Sequence, residues 1–185
     1  MTTTIYYLSA TGNSLYMARR IQQQLEETGQ VVRLVSIAKA LREQDLCPAG
    51  RVGFVMPLHF FGLPLLGEAF LSRLDLSQVT YSFLVMTCGW HYMSDAFHAA
   101  RRLFAAQGGK LSAAFYVDMV SVYLPLGDIP PEAKKNHRLQ KAAVRIEKVV
   151  VTEQRTLTID VRREELRITR TPLTPGDSLL PPVAP

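Results

Sequence analysis

The sequence predicts an α/β protein, a three-layer α/β/α sandwich with a five-stranded parallel sheet and a C-terminal β-hairpin extension. Three observations predict it. Five short runs rich in β-branched and aromatic residues alternate with stretches whose apolar residues recur at helical spacing. Most of these runs are apolar almost throughout, the pattern of strands buried on both faces, and right-handed crossovers then place helices on each side of the sheet. Finally, the loops that follow the first, third and fourth runs are the most unusual in composition: one is crowded with small hydroxyl residues, the others with aromatic residues and glycine.

Ile5 to Leu8 is the first strand, and the segment Ser9-Ala10-Thr11-Gly12-Asn13-Ser14 follows it at once. Leu15, Ala18, Ile21 and Leu25 then mark the buried face of a helix that Gly29 stops. Val31 to Ile37 is the second strand, and Ala38 to Ala49 reads as a short amphipathic turn and loop. Val52 to Met56 is the third strand, followed by Pro57-Leu58-His59-Phe60-Phe61-Gly62. Pro64 suits the first turn of a helix that buries Leu66, Phe70 and Leu74. Tyr81 to Thr87 is the fourth strand, and Cys88-Gly89-Trp90-His91-Tyr92 opens the third unusual loop. Ala96 to Gln107 is a helix with Phe97, Ala100, Leu103 and Phe104 on one side, ended by Gly108-Gly109. Leu111 to Asp118 is the fifth strand. After a loop centred on Tyr123 and Pro125, Pro130-Pro131 opens a last helix that buries Leu139, Ala142, Ile146, Val149 and Val150. Residues 1–150 thus form the expected main domain. Leu157, Ile159 and Val161, then Leu166 and Ile168, alternate with polar residues and predict a hairpin within 151–170; the proline-rich stretch 171–185 is expected to be extended.

Composition narrows the function classes. The chain is 48% hydrophobic and 20% charged, as expected of a water-soluble domain, and holds no apolar run approaching the roughly 18 to 20 residues that cross a bilayer. The N-terminal residues show no charged leader or cleavage site, so a cytoplasmic location is expected. Cys47 and Cys88 are the only cysteines, too few for a disulfide framework or a four-cysteine iron–sulfur cluster. The formal charge of +5 is unevenly placed: residues 1–130 hold ten Lys/Arg against nine Asp/Glu, and residues 131–170 hold eleven against six. No nucleic-acid recognition motif accompanies this basic segment, and a solvated helix face explains it most simply.

Chemistry is expected in the three loops. A helix start leaves several backbone N–H groups without intrahelical partners and carries positive partial charge, so hydroxyl residues there suit a phosphate. The alternative is a helix cap, for which Ser, Thr and Asn are favoured in any case. The first loop lacks the lysine of a G-x-x-x-x-G-K-[ST] loop and the glycines of a G-x-G-x-x-G fingerprint. Phe60, Phe61, Trp90 and Tyr92 could stack on a flat ring, Gly62 could let backbone approach its edge, and Thr87, Cys88 and Gly89 could present backbone groups. Their bland alternative is a hydrophobic lid or partner surface. Cys88-x-x-His91 lacks a second pair at ligand spacing, so no metal site is expected, and His98 and His137 read as exposed helix residues. No nucleophile–base or paired-carboxylate arrangement is legible.

The pattern [ST]-x-T-G-N-[ST] at Ser9 to Ser14 resembles the phosphate loop of flavodoxins. With Met56 to Pro64, Met86 to Trp90 and Asp118 to Tyr123, it resembles the flavodoxin half of flavodoxin–ferredoxin fusion proteins over roughly residues 3–150. The resemblance implies the strand order 2-1-3-4-5, with FMN at the carboxyl edge where residues 9–14, 57–62 and 88–94 would meet. It further implies an electron carrier whose partner is another redox protein, such as a ferredoxin or a reductase. Two departures stand out: no cysteine follows Cys88, so no ferredoxin module is present, and Trp90 occupies the place of a usual second glycine. An NAD(P)H-dependent flavin or quinone reductase and a cofactor-free interaction module are the alternatives. The hairpin is marginal alone and is expected to pack on the domain or support a homodimer.

Overall fold

The computed structural model describes residues 2–89, 94–119, 131, 133–134 and 136–142. The chain divides into two units, residues 1–153 and 154–185, and every described residue lies in the first. Trp90, His91 and Tyr92, the Tyr123–Pro125 loop, the hairpin and the proline-rich stretch lie outside the described residues.

Nine elements alternate along the described chain: β1 (Thr2–Tyr7), α1 (Asn13–Glu27), β2 (Val31–Ser36), α2 (Ile37–Glu43), β3 (Gly50–Pro57), α3 (Leu65–Leu71), β4 (Val79–Cys88), α4 (Ala96–Ala106) and β5 (Ala113–Asp118). All pairings are parallel, and the sheet order is β2-β1-β3-β4-β5. This is the predicted flavodoxin-like α/β arrangement. Chain direction reverses its sideways progress between β1 and β3, so their carboxyl ends flank the switch point where such sheets open a crevice.

Period-two alternation divides the core between the two faces of the sheet. Tyr6, Val52, Phe54, Met56, Leu84 and Met86 face one side, where Ile37 and Ala40 of α2, Phe70 and Leu71 of α3, and Ala96, Ala100 and Phe104 of α4 close over them. Tyr6 stands between Phe54 and Phe70, with ring centroids 5.8 and 5.0 Å away, and Phe104 meets Phe54 edge-on at 5.2 Å. On the other side Ile5, Val55, Phe83, Val85 and Val117 pack under Met17, Ala18, Ile21 and Leu25 of α1, with Leu139 and Ala142 from the helical residues 136–142. Gly53 makes this packing dense, because a Cβ there would land in the ring of Phe83.

Three expectations about the helices need correction. Residues 37–43 form a two-turn helix where a turn and loop was expected, because Ile37 and Ala40 find a buried place on β2 and the core; Gln44 ends it in the left-handed region at φ 53°. Met17 joins the buried face of α1 while Leu15 is half-buried. Leu66 is exposed, since α3 turns Gly67 to the sheet, close enough that an added Cβ would lie 2.9 Å from Met56 Sδ. At the amino end of the sheet Arg51 is buried, donating to Gln30 Oε1 at 3.0 Å with its guanidinium 5.6 Å from the centre of the Tyr81 ring.

Candidate functional site

The first loop leaves β1 at Tyr7 and becomes α1 at Asn13 by way of Gly12, whose φ of 93° is left-handed and favours a residue without a Cβ. The earliest helical bond runs from Tyr16 N–H to Gly12 O at 2.8 Å. The helix cap alternative takes a different form: the cap residue is Gly12, which has no side chain to bond into the helix start. Ser9 Oγ instead accepts the Gly12 N–H at 3.2 Å, closing the loop on itself. Ala10, Thr11 and Gly12 are exposed, and a Cβ on Gly12 would meet nothing within 4 Å, so the outer side of the loop is open.

Ser14 has a different orientation from the one its motif position suggested. It is only 1% exposed, and its Oγ shares a 2.8 Å hydrogen bond with Oγ1 of Thr87 at the end of β4. Because β3 lies between β1 and β4, this bond carries the start of α1 across the carboxyl end of β3. Thr87 also accepts the Leu58 N–H on its carbonyl at 2.9 Å. One threonine therefore fixes the first and second loops to the root of the third. Beside it Cys88 is buried, with Sγ 3.8 Å from Val117 O and its carbonyl accepting Met119 N–H at 2.7 Å, a structural thiol as its strand-end position suggests. Gly89 is exposed.

The second loop turns back sharply beyond Pro57 and Leu58, both half-buried. His59 N–H donates to Gly62 O at 3.1 Å and Gly62 N–H to His59 O at 2.8 Å, which makes a two-residue hairpin of Phe60 and Phe61. Both phenylalanines have positive φ, 45° and 64°. Such turns normally use Asn and Gly, and a bulky residue in this region costs roughly 1–2 kcal/mol. Phe60 is 93% exposed, so burial offsets none of that cost. The Gly62 N–H is held, and the left-handed backbone belongs to the two aromatics before it.

What holds the turn was not foreseen. The Phe61 carbonyl accepts Ser94 Oγ–H at 2.8 Å and Asp95 N–H at 3.2 Å. Ser94 Oγ in turn accepts Tyr116 O–H at 2.8 Å and Ala96 N–H at 3.2 Å. The Tyr116 ring stacks on Phe97 of α4, centroids 3.9 Å apart and planes 17° from parallel. The serine and aspartate just before α4 carried a faint signal as helix-start residues, but nothing in the sequence connects them to a turn more than thirty positions earlier.

Among the described residues of 9–14, 57–62 and 88–94 there is no lysine, arginine or carboxylate, and Asp95 follows at the start of α4. His59 is exposed beside the aromatic turn. Among the described residues no cluster of His, Cys, Asp and Glu could hold a metal ion, and no helix is long and apolar enough to cross a membrane. The chemistry available is therefore neutral: hydroxyl and N–H donors at the first loop, and aromatic faces at the second.

No curated protein matches the chain. A family model described as a domain of unknown function (DUF2382) matches residues 133–181, a minority of the chain. Among solved structures, the two-electron reduced flavodoxin of Megasphaera elsdenii is similar at 18% identity with a TM-score of 0.50, over 77% of this chain and 98% of that one. Smu.1420 of Streptococcus mutans UA159 is similar at 12% identity and a TM-score of 0.50, over 80% of this chain and all of the other, 100%. At such identities the likeness is one of fold, and the fold is flavodoxin-like: five parallel strands in the order 2-1-3-4-5 with helices on both faces.

Proposed function

We propose that the protein binds FMN at the carboxyl edge of the sheet and carries electrons between redox proteins. The observation that carries this reading is the convergence of a glycine-capped, hydroxyl-lined helix start and an exposed diphenylalanine turn, both tied to Thr87. The residues present fit the cofactor. Ser9, Thr11 and the backbone N–H groups of Ala10, Thr11 and Ser14 would hold the phosphate, with no cation required because the helix start supplies positive partial charge. Phe60 and Phe61 would lie against the ring, and Leu58, Thr87 and Gly89 would meet its polar edge. Trp90, His91 and Tyr92 are proposed from the sequence to complete the ring site. When bound, FMN supplies the redox chemistry; the chain binds it, orients it and excludes water. The relation to flavodoxin–ferredoxin fusion proteins belongs to this proposal, with a ferredoxin or a reductase as the redox partner.

The test is an absorption spectrum of the purified protein followed by titration of the flavin-free chain with FMN and riboflavin. Tight FMN binding with weaker riboflavin binding is expected, since only FMN has the phosphate. No flavin absorbance and no binding of either would end the proposal. Sustained NADPH oxidation on adding a quinone would instead make the protein a reductase on the same scaffold.

A further inference from the structure

We propose that Ser94 is a positioning residue for the ring end of the site, holding the Phe60–Phe61 turn in its left-handed conformation; this rests on the flavin reading above. The turn's own two cross-bonds involve only His59 and Gly62, so they close the hairpin without fixing how it stands over the sheet. The tip of the turn is tied outward through the Phe61 carbonyl, whose two acceptor positions are taken by Ser94 Oγ–H and Asp95 N–H.

The Ser94 hydroxyl has one proton and two lone pairs. The proton goes to Phe61 O, while the lone pairs receive Tyr116 O–H and Ala96 N–H. Each incoming donor forces the serine proton toward Phe61. The orientation is therefore set by two rigid elements, β5 through Tyr116 and α4 through Ala96, and Tyr116 is itself fixed by its stack on Phe97. A backbone conformation that phenylalanine disfavours persists where its surroundings over-determine it, and this hydroxyl relay is the over-determination. Loss of the serine proton would let the aromatic pair leave the place where it meets the ring, while the phosphate loop, held by Ser14 and Thr87, would stay intact.

The experiment uses the full chain carrying Ser94→Ala, Tyr116→Phe, both together, or Ser94→Thr. Amide hydrogen exchange is measured on the flavin-free protein, and FMN and riboflavin affinities by titration. Ser94→Ala should speed exchange of the Gly62 amide by about tenfold or more. It should weaken riboflavin and FMN by the same factor, about five- to tenfold, since the loss lies at the ring and one hydrogen bond is involved. Tyr116→Phe should show a smaller effect in the same direction and add nothing in the Ser94→Ala background, because it acts through that serine. Ser94→Thr, which keeps the hydroxyl, should restore both readouts.

Either readout remaining at the wild-type level in Ser94→Ala overturns the proposal: unchanged exchange means no clamp, and unchanged riboflavin affinity means a clamp with no bearing on the ring. A loss confined to FMN also overturns it. A wild-type chain that takes neither flavin overturns the cofactor reading itself, and is recognised before any substitution is made.

Discussion

Phe60 is the residue whose environment least explains it. A bulky side chain that is 93% exposed at φ 45° gains nothing from burial and loses backbone stability, a combination that persists at sites with another role. Asparagine tolerates the left-handed region far better. Phe60→Asn is therefore expected to raise stability by about 1 kcal/mol in urea unfolding while weakening riboflavin binding severalfold. A less stable variant would show that the turn is not strained. The pairing of Phe60 with Phe61 was legible as an aromatic loop of unusual composition; their left-handed backbone was not, because nothing local to phenylalanine favours it.

Among the elements, the β1–α1 junction would set the mode of anion recognition on the proposed reading. Its hydroxyls and backbone donors act without a lysine or arginine, so Thr11→Ala should weaken FMN by roughly tenfold, as expected for a hydrogen bond to a charged group, and leave riboflavin within about twofold. Raising salt from low to several hundred millimolar should change FMN affinity less than about threefold, since no cationic side chain in the loop can be screened. Parallel loss of both flavins in Thr11→Ala would move the phosphate elsewhere. The strand, loop and helix start were readable from their residues, but the direction of the Ser14 hydroxyl was not. Its motif position says hydroxyl; only the sheet order, which brings Thr87 within 2.8 Å of it from 73 residues away, says where that hydroxyl points.

At the scale of the whole molecule, buried phenols make the fold sensitive to alkali. Burial, reinforced by Asp45, pushes the Tyr6 hydroxyl up to about 12, and burial also raises Tyr81. A group whose folded pKa exceeds its unfolded value near 10 contributes nothing destabilising below pH 10, and its favourable neutral state is lost to ionisation of the unfolded chain as pH rises toward 12. Stability should therefore fall between pH 10 and 12, and Tyr6→Phe should move that fall to higher pH in an unfolding series. An unchanged alkaline profile would remove Tyr6 as its cause. Charge also bears on the cofactor: Lys134, Arg138 and Lys141 are exposed on the one basic stretch, and residues 1–130 are nearly neutral. On the proposed reading, a reduced, anionic flavin would be penalised less here than beside an acidic surface, so its potential should be less negative than in an acidic flavodoxin of similar loops. A redox titration giving an equal or lower value would refute this.

The sequence by itself determined the strand–helix alternation, the two-sided burial of the central strands and three loops of unusual composition, because each follows from local periodicity and composition. Only the tertiary structure decided which atoms hold those loops together. The Ser14–Thr87 bond, the Ser94 relay to Phe61 and the exposed face of Leu66 depend on contacts between segments distant in the chain. Side-chain orientation at such contacts is set by the packing of whole elements, and no local pattern encodes it.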